Sequence, residues 1–186
     1  ALVMRDGRLP AIERAKAAVS LAHLGDTRRE VLDVEAMRFC SIPKGKFHMG
    51  TDDMPQNDAP NIQDILDSAK PTHEVDIPYD YWLAQFPVTN GQFQMFVDAG
   101  GYTDKALWAE AVAHGFWQDD GQVKGYTWVG GEERWQWLTR SRPYDYGRPF
   151  NLPNHPVVGV NWYEALAFTR WLTRKWQDEK KLPPDW

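Results

Sequence analysis

PTHEVDIPYDYWLAQFPVTNGQFQMFVDAGGY, residues 71–102, changes its hydrophobic period partway along. Val75, Ile77, Tyr79 and Tyr81 alternate as a half-buried strand does, and Pro78, which has no backbone N–H to donate, marks an edge strand or a bulge. From Thr89 the period becomes helical. Thr89 and Gln92 form a T-x-x-Q capping box, Phe93, Phe96 and Val97 make one apolar stripe, and Gly100-Gly101 ends it.

The same grammar recurs downstream in NHPVVGVNWYEALAFTRWL, residues 154–172. HPVVGV reads as a buried strand, and Asn161 with Glu164 starts a helix that carries Trp162, Ala165, Leu166, Thr169 and Leu172 on one face to about Lys175. Upstream, MRFCSIPKGKFHMGTDD, residues 37–53, predicts a β-hairpin: Phe39, Ile42 and Phe47 are set among Pro43, Gly45 and Gly50. Residues 51–70, rich in Asp, Asn, Pro and Gln, predict a long surface loop. Residues 10–24 predict a short helix entered at Pro10, with Ile12, Ala15, Val19 and Ala22 at helical spacing and Gly25 at its end. Between the two boxed helices, residues 101–160 show no sustained period and read as an irregular excursion pinned by aromatic residues.

The composition narrows the function classes. The chain has 186 residues, 42% of them hydrophobic, and a formal net charge of −5, with 21 basic residues among 26 acidic ones. That balance argues against a binder of phosphate backbones. No apolar run approaches the roughly 18 residues of a membrane span, and no signal peptide opens the sequence, so the expected location is cytoplasmic, with neither nucleic acid nor membrane as partner. Cys40 is the only cysteine. A thiolate pair cannot be drawn from these residues, and within the apolar RFCSIP stretch Cys40 is expected to behave as a small buried hydrophobe. His23, His48, His73, His114 and His155 are scattered without metal-ligand spacing, His48 and His155 being read as satisfied core or edge groups. Asp52, Asp53, Asp58, Asp64 and Asp67 lack the order of a calcium loop and are read as solvated. Ten tryptophans suit a loop-rich fold filled by rigid side chains.

Taken in order, IPKGKFHMG, PTHEVDIPYDYWLAQFPVTNGQFQMFVDAGGY and NHPVVGVNWYEALAFTRWL resemble the formylglycine-generating-enzyme, or sulfatase-modifying-factor, family over about residues 38–186. The resemblance implies an α+β fold of the C-type-lectin-like kind with little regular secondary structure. Residues 37–186 are expected to form the N-terminal half of that domain. Residues 1–36 are expected to be a helical element, either HEAT-like or a plain N-terminal helix, with a linker, and the C-terminal half of the domain is the expected partner. In catalytic members of the family two cysteines bind copper(I), which activates oxygen to convert a substrate Cys to formylglycine. Those cysteines and the usual calcium loops belong to the second half, so neither copper nor calcium is expected in this chain except through that half. Thr169 stands where some relatives carry a further cysteine. Related sulfoxide synthases of ergothioneine-type pathways place a His-bearing helical bundle for iron ahead of this domain, and residues 1–36 hold no such bundle.

One segment remains with the residue types of a binding surface. YTWVGGEERWQWLTRSRPYDYGRPF, residues 126–150, gathers Trp128, Trp135, Trp137, Tyr144 and Arg142 as candidate ligand contacts, because Trp, Tyr and Arg dominate binding hot spots. The competing reading places Trp135 and Trp137 on a strand with one of them facing the core. From these residues the sequence favours a noncatalytic ligand- or protein-binding module, of the sensor or diversity-generating-retroelement variable-protein type. The alternatives are a copper-dependent oxidase whose active-site cysteines lie in the C-terminal half, and a structural domain using the Trp-rich segment as a contact.

Overall fold

The computed structural model describes residues 7–53, 67–129 and 134–182, with the backbone alone at Trp128, Val129, Arg134 and Trp135. Its elements are helices mixed with small antiparallel sheets, an α+β arrangement. The chain divides into two compact units, one formed by residues 1–38 with 86–186 and the other by residues 39–85.

The larger unit opens with α1 (Ala11–Leu24), entered at Pro10 and ended at Gly25 as its sequence predicts. Two 3-10 turns, Arg29–Val31 and Val34–Ala36, then bury Val31 and Val34. α2 (Asn90–Asp98) carries the predicted capping box: the Thr89 side chain accepts from the Gln92 N–H, and the Gln92 side chain accepts from the Thr89 N–H. The Thr89 hydroxyl also donates to the Val31 carbonyl at 2.6 Å, so one side chain both starts the helix and ties it to the N-terminal segment.

α4 (Trp162–Asp178) repeats the device with Asn161 and Glu164. It follows the short α3 (Ala109–Ala113) and a two-stranded sheet of β5 (Val123–Val129) and β6 (Arg134–Arg140). That hairpin lies where the sequence predicted only irregular chain. Its alternation is masked because outward positions carry Tyr126 and Trp137, residues as large as any in the core.

The core joins α2, α4 and the intervening loop. Phe93 stacks on Phe168 at 5.2 Å and 13°, while Phe96 meets Phe93, Phe168 and Trp171 edge-on at 5.3, 6.0 and 5.7 Å. Offset and edge-to-face contacts of this kind add to the area that each ring buries. Among the described residues, the buried indoles of Trp108 and Trp117 keep their polar ends satisfied, Trp108 Nε1 donating to the Gly101 carbonyl at 2.8 Å and Trp117 Nε1 to the Tyr102 carbonyl at 2.9 Å.

Two expectations fail here for a shared reason, the influence of distant partners. α4 buries Glu164, Ala167, Phe168 and Leu172, so Trp162, Ala165 and Thr169 of the predicted apolar face look outward. HPVVGV is half-buried but makes only an isolated bridge, Pro156 opposite Thr89, and no strand.

The smaller unit is a ribbon. β1 (Phe39–Ile42) pairs with β4 (Tyr81–Ala84), and β2 (Gly45–Met49) pairs with β3 (His73–Ile77), all antiparallel. β1 and β2 therefore do not form the predicted hairpin with each other. They run on as one arm, broken at Pro43 opposite a break at Pro78, where neither proline can donate to the ladder. Asp80 mends the gap by accepting from the Lys44 N–H at 2.7 Å. Cys40 faces solvent beside its register partner Leu83, against the expected burial, because a two-stranded ribbon leaves that face uncovered.

Candidate functional site

The site grows from the end of β6 and the loop after it. Arg140, the last residue of β6, turns inward to Glu164, whose side chain is 0% exposed. Arg140 Nη2 donates to Glu164 Oε2 at 2.6 Å, Nε to Oε1 at 3.3 Å, and Nη1 to the Thr127 hydroxyl at 3.1 Å. The Tyr102 hydroxyl donates to Glu164 Oε1 at 2.6 Å. Burial first, and then the negative charge of Glu164, push the Tyr102 hydroxyl far above its ordinary value, so it remains a donor. Glu164 also accepts from the Asn161 N–H at 2.7 Å. A buried carboxylate with this many donors is fully compensated, which makes it tolerable inside a core. Gly125 makes the room: a Cβ there would lie 2.1 Å from Arg140 Nη1.

Two residues on, Arg142 leaves this network and lines a concave surface of about 160 Å³ with Tyr144, Tyr146, Phe150, Asn90 and Gln94. The wall is held by backbone. Tyr144 N–H donates to the Gly159 carbonyl at 2.9 Å, and Asn90 Nδ2 donates to the carbonyls of Phe150 and Leu152 at 2.7 and 2.9 Å. Gly159 has φ +74°, and a Cβ there would stand 2.3 Å from the Tyr144 carbonyl oxygen, so a larger residue displaces the loop. The Tyr144 and Tyr146 rings meet edge to face at 4.8 Å.

The structure divides the five predicted contacts. Arg142 and Tyr144 line the depression together. Trp137 is not among its lining residues: on β6 it is 51% exposed, touching Tyr126 at 5.1 Å and Phe116 at 5.5 Å with Lys124 Nζ 5.0 Å from its ring. Trp128 and Trp135 occupy paired positions of the β5–β6 ladder, and their side chains lie outside the described residues. Residues two apart on a strand share a face, so the expected split of Trp135 and Trp137 between core and solvent does not follow from their spacing. Asn90, Gln94, Tyr146 and Phe150 went unread as a site because only loop closure brings them beside Arg142. A weak signal existed in the Gly147, Pro149 and Pro153 turns that fold 145–153 back on α2.

Other candidates have local roles. Asp52 accepts from the Thr72 N–H at 3.0 Å, and Asp67 pairs with Lys70 at 2.8 Å, while Asp58 and Asp64 lie outside the described residues. His48 is exposed on β2, and His155 is half-buried with its pKa lowered by that burial. The two-thiolate copper site that the resemblance implies does not fit residues 1–186, whose one thiol is Cys40. Among the described residues no three His, Cys, Asp or Glu side chains group as metal ligands, and no helix is long and apolar enough to cross a membrane.

Sequence similarity links this chain to proteins named as enzymes. The chain belongs to the family described as Sulfatase-modifying factor enzyme 1-like domain, whose model matches residues 27–185. It is similar to the hercynine oxygenase of Mycobacterium tuberculosis, 36% identical over 107 residues covering 57% of this chain and 23% of that protein. The hercynine oxygenase of Mycolicibacterium smegmatis is 30% identical over 70% of this chain and 27% of its own length. The formylglycine-generating enzyme of Streptomyces coelicolor is 30% identical over 72% of this chain and 42% of its own length. The chain thus spans about a quarter of the hercynine oxygenases it matches. These relatives overturn the expectation of a noncatalytic binding module. That reading rested on the Trp-, Tyr- and Arg-rich segment, and the relatives favour its stated alternative, an oxidase.

Proposed function

We propose that this chain is part of an enzyme that oxidises a small substrate with molecular oxygen, with hercynine or a close analogue as the first substrate class. The 36% identity to a hercynine oxygenase over 107 residues carries this reading. Residues 27–185 supply its framework: the two boxed helices, the aromatic core and the buried Arg140–Glu164 pair that fixes β6 against α4. The reacting metal and its ligands belong to polypeptide outside residues 1–186, which also completes a C-type-lectin-like domain. Residues 1–36 act as a helical lead-in, and the protein works in the cytoplasm.

A second reading, conversion of a substrate Cys to formylglycine, is favoured by the larger share, 42%, of the Streptomyces coelicolor enzyme that the chain covers. One assay separates the two. Full-length protein is supplied under air with hercynine or with a cysteine-bearing peptide, and oxygen uptake and product masses are followed. Hercynine-dependent uptake with an oxidised product is expected; a peptide product alone shifts the assignment to the second reading, and no substrate-dependent uptake with either removes both.

A further inference from the structure

We infer that the depression beside the first turns of α2 is a site for a small carboxylate carried on a flat, ring-sized body. The argument rests first on charge. Arg140 and Arg142 stand two residues apart, yet the guanidinium of Arg140 is consumed by Glu164 and Thr127, whereas Arg142 has no ion pair or hydrogen bond among the described residues. The other charged side chain of the wall, Asp145, is already engaged at both oxygens, Oδ1 by the Gly147 N–H at 2.7 Å and Oδ2 by Asn151 Nδ2 at 3.3 Å. Asp145 keeps its charge but has both oxygens occupied, so the open charged hydrogen-bonding group of the wall is the Arg142 guanidinium. A guanidinium presents parallel N–H groups that match a carboxylate in bidentate fashion, and the positive end of α2 lies on the same side.

Size and shape fix the rest. A cavity of roughly 150 Å³ accommodates a benzene-sized molecule, so a space of about 160 Å³ suits one ring and is too small to enclose a nucleotide or a peptide segment. Tyr144, Tyr146 and Phe150 offer ring faces and edges for a planar body, while the amide nitrogens of Asn90 and Gln94 on the α2 side are held by the Phe150 and Leu152 carbonyls and by Asp98. The site is defined by these residues whichever reaction the full protein performs, so its failure and that of the oxidase reading are separate events.

The test titrates the full-length protein that contains these residues with benzoate, benzamide and benzylamine, followed by NMR shifts of residues 142–146 and by calorimetry. Benzoate is expected to shift those resonances saturably and to bind about tenfold or more tightly than benzamide. Arg142→Gln should weaken benzoate by at least about tenfold without changing the thermal melt, and Arg142→Lys, which keeps the charge but loses the fork, should recover only part. Tyr144→Ala should weaken benzoate and benzamide alike. No saturable shift in the millimolar range, benzoate binding indifferent to Arg142→Gln, or preference for benzylamine would overturn the inference, the last by assigning recognition to Asp145. Should Arg142→Gln disturb folding, the benzoate-to-benzamide ratio on the unaltered protein still decides.

Discussion

The smaller unit, residues 39–85, and the larger unit contain similar kinds of side chain and use them in opposite ways. In the larger unit, Phe93, Phe96, Trp108, Phe168 and Leu172 meet in one buried cluster fed by two helices, a hairpin and a loop. In the ribbon, no described residue is buried, and Phe47, Met49, Trp82 and Leu83 remain substantially exposed although all four strands are paired. Hydrogen-bond pairing alone leaves two-stranded structures marginal, because each bond replaces one to water. The difference shows that stability in this chain follows from where helices bring aromatic faces together, and that strand content is a poor guide to it.

The comparison is broken most directly by truncation. Phe96→Ala, at a ring with 0% exposure, should cost about 3–5 kcal/mol, whereas Trp82→Ala, at a residue 53% exposed, should stay within about 0.5 kcal/mol. Urea unfolding followed by circular dichroism measures both, and equal losses would show that the ribbon shares the stability of the core. Arg140→Met strands the Glu164 carboxylate in the interior and should cost about 3–5 kcal/mol, with the double variant Arg140→Met, Glu164→Gln recovering a measurable part. Additive effects in that double-mutant cycle would mean the pair is not coupled.

Smaller effects sharpen the picture. Thr89→Ala removes a helix cap and the bond to Val31, an expected loss of about 1–2 kcal/mol in the larger unit, read from the urea midpoint. Asp26 gives a pH signature. Burial raises its pKa, but hydrogen bonds from the Arg28 side chain, Asn154 and the Arg28 N–H outweigh that and hold it at about 2, below its ordinary 3.8. A depressed carboxyl contributes stability that is full above its unfolded pKa and disappears as pH falls from about 4 through 2. Asp26→Asn should flatten the stability profile over that window, and an unchanged profile would show that the contact between the N-terminal segment and Asn154 carries no weight.

How much of this was legible depended on range. Both capping boxes were readable because Thr89–Gln92 and Asn161–Glu164 satisfy each other within four residues, and Pro10 with Gly25 bounded α1 just as locally. Strand partners were not readable: nothing near Phe39 says that it pairs with Ala84 rather than across Pro43-Lys44. The face of α4 was misread because a glutamate counts as polar in any periodicity, and only Arg140, 24 residues earlier, makes its burial affordable. Of the site, Arg142 and Tyr144 were visible as residue types. Their neighbours Asn90 and Phe150 were not, since the loop that brings Phe150 back to Asn90 on α2 has no period to read.

Glu164 has a consequence for how the chain avoids misassembly. Side chains alternate along a strand, so a slip of one residue in the β5–β6 ladder would carry Arg140 to the opposite face of the hairpin. The carboxylate, fixed in place by the helix start it helps to cap, would then sit in the interior without its cation. A misaligned hairpin is therefore penalised at a point well away from its own hydrogen bonds, and α4 proofreads strand registration through a single charge.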